Sequence, residues 1–580
     1  MNNYERCEKC DEMKSWCEQC QINYFKDNFA YWTSGNEEID KFIQGRQLKI
    51  DRPGDIVFEW IPYNHFYNIK EVGKYDVNIV YLALWKNGPL NWNEDNKKYI
   101  RTSPEKKVIL KFLHNLHDNI IDGFLNEINK IYESSKHSVY GISQKPNTKE
   151  YIMVLDAWYY CEKCYRLYSR HYEKWCKPCQ INYFKENFAY WTSGNDIIDK
   201  YIQGMQLNIS DYESILFEWI PFNQFKRVNE IDKGGFSTVY SAIWVNGPKY
   251  YNQNKKENSD KLVALKSFNN SQNITNECLK KVQYYSRDTS KSNNILRVYG
   301  MTQDPSTNNY IMVFEYATGG NINNYWMKKN YKIFKWKYKI QALSDIIKGL
   351  KEIHQKHMVH CDFHTGNLLY NSLHDKVYIS DMGLCGEIGN IDETKIYGVM
   401  PYVAPEVLRG KPYTQAADIY SFGMLMYFTA TGRQPFDNCA HDHQLALDIC
   451  NGIRPEINEP EAPKCYISLM KKCWDSNPDN RPNAIELEKS INSYKYVIET
   501  KFKEAEEYRK KNLLSFENNL SATHSQAIYT SRLLNPFTKD LPKYIDDNEL
   551  SSKITTYNYE DNYDNYNNTD ELEKCKIDEN

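Results

Sequence analysis

The chain has 580 residues, of which 41% are apolar and 26% charged, with a formal net charge of −3 and 16 cysteines. That length exceeds one hydrophobic core and predicts three or more units, while the near-neutral charge excludes a general nucleic-acid or membrane-surface role. No run of about 18 apolar residues occurs and MNNYERCEKC has no apolar stretch fit for a signal peptide, so a soluble, intracellular, cytoplasmic chain is expected, its cysteines thiols or metal ligands.

Residues 1–24 open with paired cysteines, C-x2-C-x6-C-x2-C, at Cys7, Cys10, Cys17 and Cys20. After a connecting segment, 25–63, and a strand-rich stretch, 64–156, the pattern returns within 157–180. There it reads C-x2-C-x11-C-x2-C, at Cys161, Cys164, Cys176 and Cys179. Two CxxC pairs supply four thiolates, a set that suits tetrahedral Zn²⁺ and tolerates a spacer of variable length. The alternative is a relic knuckle without metal, above all in the tighter first copy. The first cysteine segment is acidic and the second basic, which favours a small structural or protein-contact module over a nucleic-acid binder.

The cysteines belong to a larger repeat. QINYFKDNFAYWTSGN from Gln21 recurs as QINYFKENFAYWTSGN from Gln180, 159 positions on, and FEWIP and YIMV recur at the same offset. A unit of about 155 residues is thus duplicated, as internal repeats at a fixed offset indicate. The second copy passes through a connecting segment, 181–224, into a longer region.

From 225 to 320 strand-like runs alternate with turns. FKRVNEIDKGGFSTVYSAIWVNG reads as two strands around a glycine turn, KLVALKSF as a third, and ILRVYGM and NNYIMVFEYA complete a small antiparallel sheet. NECLKKVQYY has helical spacing, and from 332 the pattern is helical, including IQALSDIIKGLKEIHQKH. A β-rich lobe leading into an α-rich lobe predicts an α+β fold with a cleft between them.

Motifs mark that cleft in order: a glycine loop at 231–239, VALK at 263–266, FEYA at 314–317, HCDFHTGN at 360–367, DMG at 381–383, APE at 404–406, DIYSFGM at 418–424 and CWDSNPDNRP at 473–482. In this order and spacing, residues 225–494 resemble a eukaryotic protein kinase domain, nearest the tyrosine-kinase-like group. The resemblance implies a bilobal fold, ATP and Mg²⁺ as cofactors, and transfer of a phosphoryl group to protein hydroxyls, Ser/Thr favoured. It assigns Asp362 to the acceptor hydroxyl, Asn367 and Asp381 to Mg²⁺, and Lys266 to the α- and β-phosphates. Gly234 and Gly235 would face the phosphates. Ile231, Val239, Ala264 and Leu369 would sandwich adenine, with Glu315 and Ala317 bonding its edge and Phe314 as gatekeeper.

The sequence departs from the family at three places. Cys361 replaces the Arg that receives an activation-loop phosphate, so the loop is expected to order without phosphate on Thr394 or Tyr397. Asp232 and Ser237 replace two loop glycines, and an acid at 232 opposes phosphate. Lys281 stands where a helix Glu should pair with Lys266, and Glu277, one turn earlier, is the other candidate. The stretch 64–156 resembles the upper kinase lobe alone. It keeps Lys111 and Glu127 but has no counterpart of Asp362, Asn367 or Asp381, and reads as a docking piece or a duplication by-product. Residues 495–514 read as an exposed helix, and 515–580, acidic and Asn/Tyr-rich, as disordered. Two function classes follow: an active protein kinase, or a silent kinase fold that binds ATP or proteins as a scaffold.

Overall fold

The computed structural model describes residues 17–50, 52–75, 78–93, 98–113, 120–134, 138–208, 215–234, 237–249, 259–268, 271, 294–325, 335–382, 386–387, 395–512 and 523–541. They form two compact units, Met1–Glu186 and Asn187–Asn580.

In the first unit, helices α1 (Glu18–Asn28) and α2 (Glu37–Gln47) precede strands β1 (Glu59–Trp60), β2 (Phe66–Tyr75) and β3 (Asn78–Trp85). The hairpin β4 (Leu90–Asn93) and β5 (Lys98–Arg101) follows, then β6 (Lys106–Leu113), α3 (Ile120–Ser134), β7 (Val139–Gln144) and β8 (Tyr151–Asp156). The sheet order is β1-β7-β8-β6-β3-β2. Alternation along the strands separates two cores. Ile109, Met153 and Leu155 face α2 and α3 through Ile39, Ile43, Phe124 and Ile128, while Val108, Leu110 and Val154 join Phe66 and Trp85 on the other face.

The second copy rebuilds this plan. Helices α4 (Lys177–Asn187) and α5 (Asp196–Leu207) precede β9 (Glu218–Trp219), β10 (Phe225–Lys233), β11 (Ser237–Trp244), β12 (Lys261–Phe268), β13 (Val298–Gln303) and β14 (Tyr310–Glu315). Its order, β10-β11-β12-β14-β13-β9, matches the first sheet strand for strand. The repeated TSGN stretch makes the same helix start twice. Asn36 caps α2 by accepting from Glu38 N and Ile39 N, and Asn195 caps α5 by accepting from Ile197 N and Ile198 N, the expected use of Asn at that position.

The expected small antiparallel sheet has a sixth member in each copy. FEWIP, placed by sequence in the connecting segments, contributes β1 and β9, which run parallel to β7 and β13. The close approach requires glycine. A Cβ on Gly141 would lie 1.9 Å from Glu59 O, and one on Gly300 2.0 Å from Glu218 O. Glu59 and Glu218 are buried here, and each has a cation of its own: Arg101 at 2.5 Å for Glu59 and Lys249 at 2.7 Å for Glu218. Burial without such partners would be costly.

Beyond β14 the chain is mostly helical. Short strands β15 (Gly320–Asn321), β16 (Met358–Val359), β17 (Leu368–Asn371), β18 (Lys376–Ile379), β19 (Gly386–Glu387) and β20 (Tyr397–Gly398) frame the loops at its upper face. Behind them lie the helices Trp336–Gln355 and Gln415–Thr431, the latter almost wholly buried. The two lobes of this unit meet where Leu296 N donates to Ile379 O (2.9 Å) and Ile379 N to Asn294 O (2.9 Å).

The two C-terminal expectations need correction. The stretch after 494 forms short helices, Ile498–Lys501 and Lys503–Lys511, and they are not simply exposed. Phe502 is fully buried against Trp336, Tyr466 and Tyr494. Within the stretch read as disordered, residues 523–541 are ordered, with β21 (Arg532–Leu533) paired to β20. A helical turn, Asn535–Thr538, follows β21, and Leu534 and Leu541 join the apolar core of this unit with Tyr529 and Phe537 packed against it; composition alone misses that. No helix among the described residues is long and apolar enough to cross a membrane.

Candidate active site

A cleft of about 430 Å³ opens between the sheet and the helical lobe of the second unit. From the sheet, β10 and β11 supply Ile231, Asp232 and Val239, β12 supplies Ala264 and Lys266, and β14 with the following hinge supplies Phe314, Glu315 and Ala317. From below come Asn367, Leu369 and Asp381. Gly234 is not among the lining residues; its N–H donates to Ser237 O at 2.9 Å and closes the turn. Gly235 lies outside the described residues, as do Thr394, Glu277 and Lys281. Asp232 turns its carboxylate onto the next backbone N–H, Lys233 N, at 2.9 Å.

Lys266 Nζ stands 2.6 Å from Asp381 Oδ1. The cation suited to phosphate and the carboxylate suited to Mg²⁺ are therefore immediate neighbours. In the first unit, Lys111 Nζ meets Glu127 Oε1 at 3.4 Å, as their register predicts.

The loop of Asp362 is fixed from three sides. Asn367 Nδ2 donates to Asp362 O (2.8 Å) and to Asp362 Oδ2 (3.2 Å), which leaves the Asn367 amide oxygen as its acceptor for a cation. Asp362 N donates to His360 Nδ1 at 3.3 Å, and His360 Nε2 lies 3.1 Å from Ser380 O. Beneath them Asp418 accepts from His360 N (2.8 Å) and Cys361 N (3.2 Å), with His354 Nε2 at 2.9 Å. Asp362 Oδ1 accepts no hydrogen bond among the described residues, and His364 Nε2 is 3.5 Å from it. A buried carboxylate oxygen left open in this way is suited to receive a proton or orient a hydroxyl.

Cys361 adopts φ 68° and is buried, its Sγ 3.7 Å from Val359 O. The backbone at 361 is thus held by Asp418 whatever the side chain, and the thiol offers no positive charge to a phosphate. Sequence reading missed the part played by Asp418, although it opens the DIYSFGM motif. It also gave no role to Arg481, which forks onto Glu406 of APE with both N···O distances at 2.7 Å.

A second cluster lies in the first unit. The sulfurs of Cys161, Cys164, Cys176 and Cys179 all lie within 4.8 Å of one another, with 3.6 Å between Cys161 and Cys179 and 3.4 Å between Cys164 and Cys176. Thiolates about 2.3 Å from a tetrahedral Zn²⁺ would be roughly 3.8 Å apart, so the donor set fits. Burial pushes the Cys176 thiol up and the Cys179 thiol up to about 12. Burial opposes ionisation of Cys161 as well, yet the backbone N–H groups of Cys164 and Lys163 bring it below the usual range. Cys17 is buried at the start of α1 and Cys20 lies inside that helix. Cys7 and Cys10 lie outside the described residues.

A strand-built upper lobe, a hinge, a helical lower lobe and a cleft combining lysine, an Asp–Asn loop and a second aspartate define the protein kinase fold. Residues 225–491 match the family described as protein tyrosine and serine/threonine kinase, and this part of the chain is a eukaryotic protein kinase domain. Similar proteins include serine/threonine-protein kinase STY17 of Arabidopsis thaliana, 29% identical over 212 residues, which covers 36% of each chain. Seven transmembrane domain-containing tyrosine-protein kinase 1 of Dictyostelium discoideum is 30% identical over 278 residues, 46% of this chain and 38% of that protein. A probable serine/threonine-protein kinase of the same organism is 27% identical over 220 residues, 33% of this chain and 14% of its own. The chain therefore matches well under half the length of each of these relatives.

Proposed function

We propose that this chain transfers the γ-phosphoryl group of Mg²⁺-bound ATP to hydroxyls of proteins, with Ser and Thr favoured. The observation that carries the reading is the double hold of Asn367 on Asp362, set beside the Lys266–Asp381 pair. ATP with Mg²⁺ supplies the phosphoryl group and neutralises its charge. Lys266 would orient the phosphates, and Asn367 and Asp381 would hold the metal through hard oxygens. Asp362 Oδ1 would orient the acceptor hydroxyl and take its proton, while the bonds from Asn367 and His360 keep the loop in place. The Ser/Thr preference draws on the names of STY17 and the Dictyostelium relative; the tyrosine-protein kinase among the matches is the counter-example. Assignment to the tyrosine-kinase-like group rests on the motifs alone.

A second reading, a silent kinase fold that binds ATP or a protein, is favoured by Asp232, whose acid lines the cleft. An assay of autophosphorylation with Mg-ATP separates the two readings. Incorporation in the wild type that Asp362→Asn abolishes supports transfer; none in either supports the scaffold.

With Cys361 in place of a phosphate receptor, activity should not depend on a loop phosphate. Phosphatase treatment or Thr394→Ala is expected to leave the rate within about tenfold, near 1.4 kcal/mol of barrier. A larger loss would mean that another basic group receives a phosphate.

The repeated cysteine sets are read as structural zinc sites, and the duplicated lobe as a docking piece or a by-product of duplication. Four desolvated sulfurs this close need a cation to ionise together. Purified chain should carry up to two zinc ions, and the double variant Cys164→Ser, Cys176→Ser should carry one fewer by elemental analysis. Equal zinc content in the two proteins would reject the site.

A further inference from the structure

The last described segment, 523–541, lies against the part of the kinase domain that faces Asp362. Its strand β21 pairs antiparallel with β20, Tyr397 opposite Leu533 and Gly398 opposite Arg532. The pairing extends by Leu534 N to Ile396 O at 2.7 Å and by Ile396 N to Asn535 Oδ1 at 2.9 Å. The edge so covered abuts the catalytic loop. Gly398 has φ 149°, and a Cβ there would lie 3.7 Å from Asp362 Oδ1 and 3.6 Å from the Tyr413 hydroxyl. Tyr413 OH donates to Tyr397 O at 2.6 Å and braces the edge from behind.

Side chains on both flanks of the strand are held. Leu534 is fully buried. Tyr529 packs edge-on against His441, ring centroids 4.8 Å apart, and its hydroxyl donates to Pro435 O at 2.9 Å. Arg532 donates to His441 O at 2.6 Å. Backbone bonds to a sheet edge plus pockets for selected side chains are how an extended peptide is recognised by strand addition.

We propose that the edge Ile396–Gly398, together with the turn that carries Pro435 and His441, is a docking surface for an extended peptide. Residues 527–534 fill it in cis, between a turn at 525–526 and the helical turn Asn535–Thr538, and compete with protein acceptors. The peptide chemistry it selects is read from the occupant: an aromatic hydroxyl at the position of Tyr529, a guanidinium at Arg532 and a branched apolar side chain at Leu534. The competition with acceptors rests on the phosphotransfer reading above; the docking surface does not.

The test uses the full chain and a fluorescent synthetic peptide of sequence 523–541. Leu534→Asp puts a charge into a dry pocket and should release the tail in cis, so the free peptide should bind this variant at least tenfold more tightly than wild type. If that variant does not fold, the double variant Arg532→Ala, Asn535→Ala, at partly exposed positions, gives the same comparison. With casein as acceptor, KM for casein should fall in the variant while KM for ATP stays constant. Equal peptide binding by wild type and variant, or binding to neither, overturns the proposal whatever the activity. Tighter peptide binding by the variant with no transfer by any form supports the docking surface and sinks the kinase reading instead.

Discussion

Asp362→Asn is expected to lower phosphotransfer by about 10²–10⁴-fold, the usual loss when a general base is removed, and to leave ATP affinity unchanged. The separation of the two effects follows from the geometry. Asp362 is not among the residues that line the cleft proposed to hold ATP, whereas Lys266 and Asp381 are. Its backbone is held independently of its carboxylate, through Asn367 Nδ2 on its carbonyl and His360 Nδ1 on its amide. The amide of the variant keeps the size of the side chain and one acceptor oxygen but cannot take a proton. Rates and nucleotide titrations measured on the same preparation check this. A rate within tenfold of wild type would remove Asp362 from the chemistry, and a parallel loss of ATP binding would make its role structural.

The largest effect on stability is expected at Arg481. Its side chain and that of Glu406 are both essentially inaccessible to water, at 0% and 3% exposure. The guanidinium also donates to Asp475 O and Ala416 O, each at 2.9 Å, and lies over the Tyr420 ring. Arg481→Ala leaves a dry carboxylate and two carbonyls without their donor. Breaking one side of a buried pair costs about 3–5 kcal/mol, so the variant should unfold at a much lower denaturant concentration. Because the chain has two units, hydrogen exchange of the buried helix Gln415–Thr431 is the cleaner readout than a global transition. Protection there reduced by less than about tenfold would show that the pair contributes little. Replacing both residues should cost less than the two single changes added together, since each then leaves no orphaned charge.

Much of this molecule was legible because its chemistry is local in sequence. KLVALKSF gave β12 to the residue, and the residues proposed for adenine and phosphate, the two loop glycines aside, line one cleft. Repeats are visible for the same reason: TSGN caps a helix in both copies because four residues suffice to do so. What the sequence hid depends on partners far along the chain. Asp418 acts 58 positions from His360, and Arg481 acts 75 from Glu406; neither spacing has a period that could announce it. The ordered tail was hidden by composition. Its surroundings are polar and rich in Asn, and Leu534 and Leu541, with the partly buried Tyr529, gain their burial only by packing on a core that residues far along the chain make. For Lys266 the sequence pointed to a helix partner, Glu277 or Lys281, both outside the described residues, whereas the carboxylate beside it is Asp381, far along the chain.

The two-residue strands β1 and β9 have a consequence for self-association. A β-sheet ends in a row of backbone groups that can template another chain, and β7 and β13 would be such borders. Each is closed instead by its own upstream FEWIP segment, fitted over a glycine where any Cβ would strike a Glu carbonyl. Gly300→Val would push β9 off and bare a strand whose neighbours are apolar. The same change in both copies would give one chain two adhesive borders, and self-association would then rise with concentration before any loss of the fold was seen.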